Sequence, residues 1–288
     1  NHVTSEKTMG LYQNNNASQL AILTDGIYNN IDFTVTTLDN QTSLLNTLSG
    51  LNLTYFKRAP SQLFDKDAKS LNQRVAKNVS NSNKDFVTIT YQVIAPPHSQ
   101  LYVSIPNISW SDDNNHSLSI TVNGVTKNQV TDNTFDFFDL GYFETESMVT
   151  IKLSFPGNKA ISFDNPSFYA LDTQNYQIAM DTINERDSKV TTSKNKVFVD
   201  YSSKTNASLF FTIPYDKGWT ATINHKKVKI QRAQKGFMKV DVPSGKGKVV
   251  LTFIPYGLKT GSLISLLASI IFCCYAYFIR KTTIIQKS

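Results

Sequence analysis

Leu209-Phe-Phe-Thr-Ile-Pro214 repeats the pattern of an earlier stretch, Leu101-Tyr-Val-Ser-Ile-Pro106, and this pair decides the fold prediction. A tryptophan follows each stretch, and a Thr-Val-Asn or Thr-Ile-Asn turn comes after it, at 121–124 and 222–225. Each copy is preceded by an alternating apolar run and closes on an apolar run that ends in Phe. This shared order predicts an internal duplication, in which the proline ends each strand because it cannot donate to a β-ladder.

The runs around the repeat have the composition of strands. They are rich in Val, Ile, Thr, Phe and Tyr at a period of two, and Asn, Asp, Ser, Gly and Pro separate them. We therefore predict a mainly β fold with two tandem antiparallel β-sandwich modules, jelly-roll-like, at 84–172 and 173–256. The duplication also predicts comparable places for Trp110 and Trp219 in the two modules.

Residues 1–83 are predicted to form an N-terminal segment of a different kind. One or two strands are expected within 24–36, and a helix over 40–49 that Gly50 ends. The polar stretch 65–83 is interpreted as a linker. The whole segment either completes a sheet of the first module or connects to something upstream.

The C-terminal part carries a membrane-helix pattern. Gly261–Ile279 is free of charged residues, and a helix of that length spans roughly 28 Å, close to the ~30 Å hydrocarbon core. We predict a transmembrane helix at 258–281 and a tail at 282–288, with a buried core helix as the alternative. Basic residues dominate the tail, so the positive-inside rule places it in the cytoplasm and residues 1–256 outside the cell membrane.

The N-terminus, Asn1-His2-Val3, does not look like a signal peptide, because it has no apolar segment. A long external region needs something to translocate it. Two explanations stay open: a signal peptide has been removed, or the chain is the C-terminal piece of a longer polytopic protein.

Charge is spread unevenly along the chain. The whole chain has a net charge of +7, but residues 1–172 carry −5 and residues 173–257 carry +8. The basic module directly precedes the membrane helix, so contact with anionic lipid head groups or an anionic cell-wall polymer is expected. The candidate residues are Lys226, Lys227, Lys229 and Lys239. An ordinary solvated face is the alternative, and an external location disfavours nucleic acid as a partner.

Few residues suggest a chemical site. Within Pro214-Tyr-Asp-Lys-Gly-Trp219, the side chains of Tyr215, Asp216 and Trp219 are candidates for binding a sugar or polymer; the alternative is a tight turn beside a core tryptophan. The loop 112–116 offers oxygen ligands for calcium or is simply solvated. Cys273 and Cys274 are adjacent within an apolar run, the histidines are scattered, and nucleotide-binding motifs are missing. We predict no catalytic residue, metal site or cofactor in this chain.

Several of these stretches resemble the YfhO family of bacterial membrane proteins. The resemblance is carried by Ile213-Pro-Tyr-Asp-Lys-Gly-Trp219 with the Thr-Ile-Asn-His-Lys-Lys that follows, by Gly236-Phe237 and Val242-Pro-Ser-Gly-Lys246, and by Pro255-Tyr-Gly-Leu258 before the final helix. The stretch Leu38–Gly50 resembles the helix that begins that family's external domain. His225 departs from the pattern, since family members often carry Gly in this turn.

The resemblance implies a function for a longer protein. Such proteins look like GT-C-type glycosyltransferases, which use a polyprenyl-phosphate sugar to decorate teichoic acids and keep their catalytic acids in loops between upstream membrane helices. This chain would be an accessory region facing the acceptor or the membrane. Two other classes remain: a membrane-anchored carbohydrate-binding or adhesion protein, and the external domain of a transporter.

Overall fold

A computed structural model of the chain describes residues 2–6, 9–12, 14, 17–25, 37–66, 71–74, 77–80, 86–110, 116–131, 137–156, 161–186 and 188–285. Within these residues all strand pairs are antiparallel, and one long apolar helix follows the last strand. The predicted mainly β fold class is therefore confirmed.

The first part of the chain, to residue 110, contains these elements: β1 (His2–Glu6), β2 (Met9–Tyr12), β3 (Ala21–Thr24), α1 (Thr37–Ser49), β4 (Phe56–Arg58), β5 (Ser61–Lys66), β6 (Leu71–Arg74), β7 (Lys77–Ser80), β8 (Phe86–Ala95), β9 (Ser99–Ser104) and β10 (Ser109–Trp110). The middle part contains β11 (His116–Val122), β12 (Val125–Thr131), β13 (Phe137–Phe143), β14 (Ser147–Pro156), β15 (Ile161–Asp164), β16 (Ser167–Asp172) and α2 (Thr173–Asn184). The last part contains β17 (Ser188–Ser193), β18 (Lys196–Ser203), β19 (Ala207–Phe211), β20 (Trp219–Ile223), β21 (Lys226–Val228), β22 (Gln231–Ala233), β23 (Phe237–Val242), β24 (Gly245–Phe253) and α3 (Leu258–Ile285).

Two compact units make up the chain, and one is inserted into the sequence of the other. The inserted unit is formed by Phe33–Asn46 and Leu51–Asp181. The split unit is formed by Asn1–Asp32, Thr47–Gly50 and Thr182–Ser288. The predicted boundary between two tandem modules at 172/173 differs from this division, because a strand from the N-terminal segment belongs to the last sheet.

The inserted unit has two main sheets around one core. Their strand orders are β12-β11-β14-β8-β5 and β13-β9-β16-β4. Buried side chains of both sheets, such as Ile89 and Leu153 in the first and Leu101 and Phe168 in the second, belong to one hydrophobic cluster. A core shared by two facing sheets is typical of a β-sandwich.

The split unit has the same organisation. Its sheets have the orders β17-β18-β24-β20-β21 and β22-β23-β19-β3. Val199 and Leu251 of the first sheet share a hydrophobic cluster with Leu209, Phe211 and Leu23 of the second. Leu23 lies on β3, an edge strand of the second sheet that comes from the N-terminal part of the chain.

Strand order supports the predicted duplication. The sheet β12-β11-β14-β8-β5 corresponds position by position to β21-β20-β24-β18-β17, and β13-β9-β16 corresponds to β23-β19-β3. The two repeated stretches at 101–106 and 209–214 include most of β9 and the end of β19, which have matching neighbours. The register agrees as well, because Val122 faces Ile151 in one unit and Ile223 faces Val249 in the other.

The two Asn turns also match in atomic detail. Asn123 has φ +46° and its side-chain oxygen accepts the backbone N–H of Thr150 at 3.0 Å. Asn224 has φ +46° and accepts the N–H of Lys248 at 3.0 Å in the same way. His225 has φ +70°, so the turn keeps the left-handed geometry of its counterpart, Gly124 at +87°, despite the missing glycine.

These paired turns lead to a matched prediction. Asn→Gly keeps the positive φ but removes the side-chain hydrogen bond, so Asn123→Gly and Asn224→Gly should each cost about 1 kcal/mol. Each loss should be confined to its own unit. Hydrogen exchange of β14 and β24 in the two variants would check this, and equal effects on both strands in either variant would contradict the equivalence.

Two expectations about the first module and its surroundings need correction. The proposed linker at 65–83 contains strands β6 and β7 and the end of β5. All residues of β5 are exposed, so this edge strand does not need the alternating apolar residues that predict a strand. Trp110 lies in a separate sheet of order β10-β15-β7-β6, so it does not correspond to Trp219. The register instead places Leu118, four residues before its turn, at the position of Trp219.

Of the two helices that the structure describes before the membrane segment, α1 was predicted and α2 was not. The helix over 40–49 is confirmed as α1, which ends at Gly50 with φ +75°. The strands expected within 24–36 lie outside the described residues, except Thr24 and Asp25. Helix α2 was missed and occupies the start of the predicted second module; its first turn is capped by Asp172, whose carboxylate accepts the N–H of Asn175 at 3.0 Å.

Helix α3 has the properties of a membrane span. Its segment Leu258–Tyr277 has a mean hydropathy of 1.7, and none of that segment is buried within the protein. This favours the membrane over the alternative of a core helix, whose apolar side chains would be covered. The helix continues to Ile285, beyond the predicted end at 281, and its 28 residues extend for about 42 Å.

Candidate functional site

The predicted sugar-binding motif forms the loop between β19 and β20 in the split unit. Asp216 accepts the backbone N–H of Gly218 at 2.6 Å through its side chain, and its carbonyl accepts the N–H of Trp219 at 3.2 Å. This is the hydrogen-bonding pattern of an Asx turn. One oxygen of the Asp216 carboxylate is thus already engaged within the loop, although the side chain is exposed.

Gly218 holds this loop against the end of β24. It is buried, and a Cβ atom added here would lie 2.3 Å from the carbonyl oxygen of Ile254 and 2.8 Å from the Phe253 ring. The Gly218 carbonyl also accepts the N–H of Ile254 at 3.0 Å. The motif therefore requires glycine at position 218, where its backbone closely approaches residues 253 and 254. Those two residues lie just before the start of α3.

Both aromatic residues of the motif contact other parts of the protein. The Trp219 ring is half-buried, with its centroid 4.9 Å from that of Phe253. The Arg232 guanidinium lies 4.7 Å from the centroid of the Tyr215 ring, which is a cation–π distance. These contacts favour the structural interpretation of the motif, and sugar binding by Tyr215, Asp216 and Trp219 stays a prediction.

The four predicted lysines do not form one cluster. Lys226 and Lys227 lie on β21, and Lys229 follows it, all three exposed. Lys239 lies on β23 in the other sheet of the split unit, where its ammonium is 3.2 Å from the Asp241 carboxylate. Burial would raise the pKa of Asp241, but hydrogen bonds from Ser208 and Lys239 and the lysine charge outweigh it and hold the pKa below its usual value.

A broader basic surface appears when the sheet β17-β18-β24-β20-β21 is followed across its strands. Val197 and Val199 alternate with exposed or half-buried residues on β18, and Val249 and Leu251 do so on β24, so one side of the sheet points away from the core. Five lysines share that side and are named here the lysine face: Lys189, Lys196, Lys227, Lys246 and Lys248.

One carboxylate lies within the lysine face. Asp200 is paired in register with Lys189 on one side and Lys248 on the other, and its carboxylate is 3.5 Å from the Lys248 ammonium. Among the strands of this sheet, all of them described, Asp200 is the sole acidic residue. The face therefore keeps an excess of positive charge, which attracts anions and weakens with salt. Of the four lysines predicted from the sequence, only Lys227 belongs to the lysine face.

The other suggested site cannot be placed. Residues 111–115, which hold most of the proposed calcium loop, lie outside the described residues.

Comparison with known proteins identifies a family and one curated relative. A family model described as "Bacterial membrane protein YfhO" matches residues 1–265. A protein of Bacillus subtilis (strain 168), named "Uncharacterized protein YfhO", is 26% identical over 141 residues, which cover 46% of this chain and 16% of that protein. The matched region is thus a small part of the length of that relative.

Solved structures give only distant likenesses. A family two carbohydrate esterase from Cellvibrio japonicus is 12% identical with a TM-score of 0.27, covering 41% of this chain and 32% of its own. A cycloisomaltooligosaccharide glucanotransferase from a Paenibacillus species, complexed with cycloisomaltoheptaose, is 10% identical with a TM-score of 0.24, covering 78% of this chain and 52% of its own. At such TM-scores neither likeness supports an inference about fold or activity.

Proposed function

The chain belongs to the YfhO family of bacterial membrane proteins, and from that premise we propose that it is the external, acceptor-facing region of a polytopic membrane glycosyltransferase. In this proposal the enzyme is GT-C-like, takes its sugar from a polyprenyl phosphate and transfers it to a teichoic acid. The catalytic residues belong to parts of the longer protein outside this chain, which supplies acceptor binding and one membrane helix.

The lysine face carries this proposal. Teichoic acids are polymers with a phosphate in each repeat, and a face with five lysines and one aspartate complements their charge. Strand β24 contributes Lys246 and Lys248 to the face, and only a few residues separate the end of β24 from α3. An acceptor held on the face would therefore be bound by the part of the chain next to the membrane helix.

Sidedness is part of the same proposal. Arg280, Lys281 and Lys287 lie at the C-terminal end of α3 or beyond it, so the positive-inside rule places that end in the cytoplasm and both β-rich units outside. A reporter enzyme that is active only outside the cell, fused after Ser288, should be inactive. Activity of that reporter would reverse the orientation and remove the units from the acceptor.

Binding of an anionic polymer by the lysine face is the first functional prediction. The chain in nanodiscs of zwitterionic lipid should bind poly(glycerol phosphate) teichoic acid, and binding should weaken as salt rises. Replacing Lys196, Lys227 and Lys246 with Gln should weaken binding about tenfold or more, since each exposed charge near an anionic surface contributes up to ~1 kcal/mol. Isothermal titration at two salt concentrations measures both effects.

A second variant separates location from net charge. Lys57, Lys127 and Lys152 are exposed lysines of the inserted unit, and replacing all three with Gln removes the same charge. That control should bind almost as well as the parent. Equal weakening of both variants, or no binding by the parent at low salt, would contradict an acceptor site on the lysine face.

The enzymatic part of the proposal needs cells. Deleting the gene should remove the sugar from the teichoic acid, and the complete reading frame should restore it, while residues 1–288 alone should not. Restoration by residues 1–288 alone would contradict a catalytic centre elsewhere. An unchanged sugar content after deletion would favour a surface-anchored adhesion protein instead.

A further inference from the structure

A row of aromatic and polar side chains crosses the four-stranded sheet β13-β9-β16-β4 of the inserted unit. Asp139 is paired with Tyr102, Tyr102 with Tyr169, and Tyr169 with Arg58, so one residue from each strand contributes. Directly paired residues point to the same side of a sheet. Since Leu101, Val103 and Phe168 next to them are buried in the core, the row occupies the opposite side.

The rings of this row are arranged as a platform. Phe137, beside Asp139 on β13, stacks on Tyr102 with centroids 4.9 Å apart and planes 18° apart. Its centroid is 6.4 Å from that of Tyr169. All three side chains are half-buried, which leaves part of each ring accessible. Four strands spaced ~4.8 Å apart give the row a length of about 14 Å.

Polar groups lie at both ends of the platform. At one end the Arg58 guanidinium is 5.7 Å from the centroid of Tyr169. At the other end the Asp139 carboxylate accepts hydrogen bonds from the Gln100 amide and from the N–H of Gly141. Burial, the Asp139 charge and Tyr176 raise the pKa of Tyr102, so its hydroxyl stays protonated and can donate.

The corresponding row of the split unit keeps an aromatic pair, Phe210 and Phe237 with centroids 5.6 Å apart, but has neither tyrosine. The matching register places Phe210 opposite Ile22 and Lys239, and both apolar side chains are buried, at 2% and 4% exposure. The split unit thus buries Phe210 and Ile22 at the positions where the inserted unit has the half-buried Tyr102 and Tyr169.

Packing accounts for Tyr102, which contacts a second hydrophobic cluster of this unit around Tyr55, Leu171 and Ala179. Phe137 and Tyr169 are the half-buried rings of the row that a ligand can contact.

We propose that this row binds a neutral oligosaccharide, with sugar rings stacked on Phe137 and Tyr169 and their hydroxyl groups bound by Arg58, Asp139 and Gln100. A sugar ring has an apolar C–H face that packs on an aromatic face, and its hydroxyls need donors and acceptors at the edge of that contact. Aromatic platforms with polar ends meet both needs over a length that suits several linked sugars. An aliphatic protein segment would make no hydrogen bonds with the Arg58 guanidinium or the Asp139 carboxylate.

This site is separate from the lysine face, because it lies on another unit and recognises uncharged groups. The chain in nanodiscs should show saturation transfer, by NMR, to at least one of three probes: maltoheptaose, chitotetraose and a galactan tetrasaccharide. An affinity in the millimolar range or tighter is expected, and it should not change with salt, unlike polymer binding by the lysine face.

Variants locate the binding on the platform. Tyr169→Ala and Phe137→Ala should each weaken binding at least tenfold, whereas Tyr169→Phe should keep it, because the stacking ring remains. Phe64→Ala is the matched control, since Phe64 is an aromatic residue of the same unit that is 65% exposed and lies on another sheet. Thermal unfolding of each variant shows whether the unit stays folded.

The outcomes are decisive in both directions. No saturation transfer to any of the three probes at about 10 mM overturns the proposal. Equal binding by the parent, Tyr169→Ala and Phe137→Ala overturns it too, as does equal weakening by Phe64→Ala. Loss in the two alanine variants with retention in Tyr169→Phe and Phe64→Ala supports it.

Discussion

Leu23→Asp is expected to unfold the sandwich of the split unit while the inserted unit stays folded. Leu23 is 6% exposed, is paired with Leu209 across β3 and β19, and belongs to the hydrophobic core of that unit. The substitution removes a buried apolar side chain and brings a carboxylate into the same place. Loss of the leucine alone costs about 2–5 kcal/mol, and burial of the charge adds to it. That is a large part of the stability of an ordinary domain.

Hydrogen exchange on the full chain measures this effect by unit. Protection should fall across β19 and β23 and stay unchanged across β9 and β14. Leu20→Asp is the matched control, since Leu20 is three positions earlier and 42% exposed, so its carboxylate stays in water. Full protection of β19 in Leu23→Asp would show that β3 is dispensable for the last sheet.

Trp219→Ala is expected to destabilise the split unit by about 3 kcal/mol. Truncation of a fully buried tryptophan costs about 3–5 kcal/mol, and the half-buried Trp219 should fall near the lower limit. The lost contacts are those with Phe253 and with the core cluster that Trp219 packs against. Chemical denaturation of the chain in nanodiscs, followed at β20 and β24 by hydrogen exchange, gives the value.

The same variant decides between the two interpretations of the motif. With a structural role, polymer and oligosaccharide binding should be retained under conditions where the variant is folded. Trp219→Phe should recover part of the stability, because a ring still contacts Phe253. A Trp219→Ala chain that unfolds like the parent but no longer binds a sugar would make Tyr215, Asp216 and Trp219 a binding site after all.

Local sequence patterns predicted most of the repeated architecture. The repeat around 101–106 and 209–214, with its Asn turns, indicated strands that the structure places at matching positions of two sheets. Helix α2 was also within reach, since Tyr176, Ala179, Met180 and Ile183 have the i, i+3, i+4, i+7 spacing of a helix and Asp172 caps it. The helix was missed because it is short and polar, and because the segments on either side of it have strand-like patterns.

Pairing between distant segments could not be predicted in the same way. Nothing in Ala21-Ile-Leu-Thr24 indicates that its partner is β19 rather than a nearby strand, because strand propensity does not specify which strand will pair with it. The aromatic row has the same origin: Arg58, Tyr102, Asp139 and Tyr169 are far apart in sequence, and only the registers of three strand pairs bring them together. The lysine face likewise combines residues from four strands, so the sequence revealed its charge but not its shape.

The pairing of β3 with β19 also has a consequence for biosynthesis. Positions 21 and 211 are partners, so β3 leaves the ribosome long before β19 exists. At a synthesis rate of about 5–20 residues per second, this strand waits roughly 10–40 s with its apolar side chains uncovered. The inserted unit can finish folding during that time, whereas the split unit closes only as the ribosome reaches the membrane helix. A nascent chain of this protein should therefore depend on a chaperone that shields the segment around β3, and the dependence should end when β24 emerges.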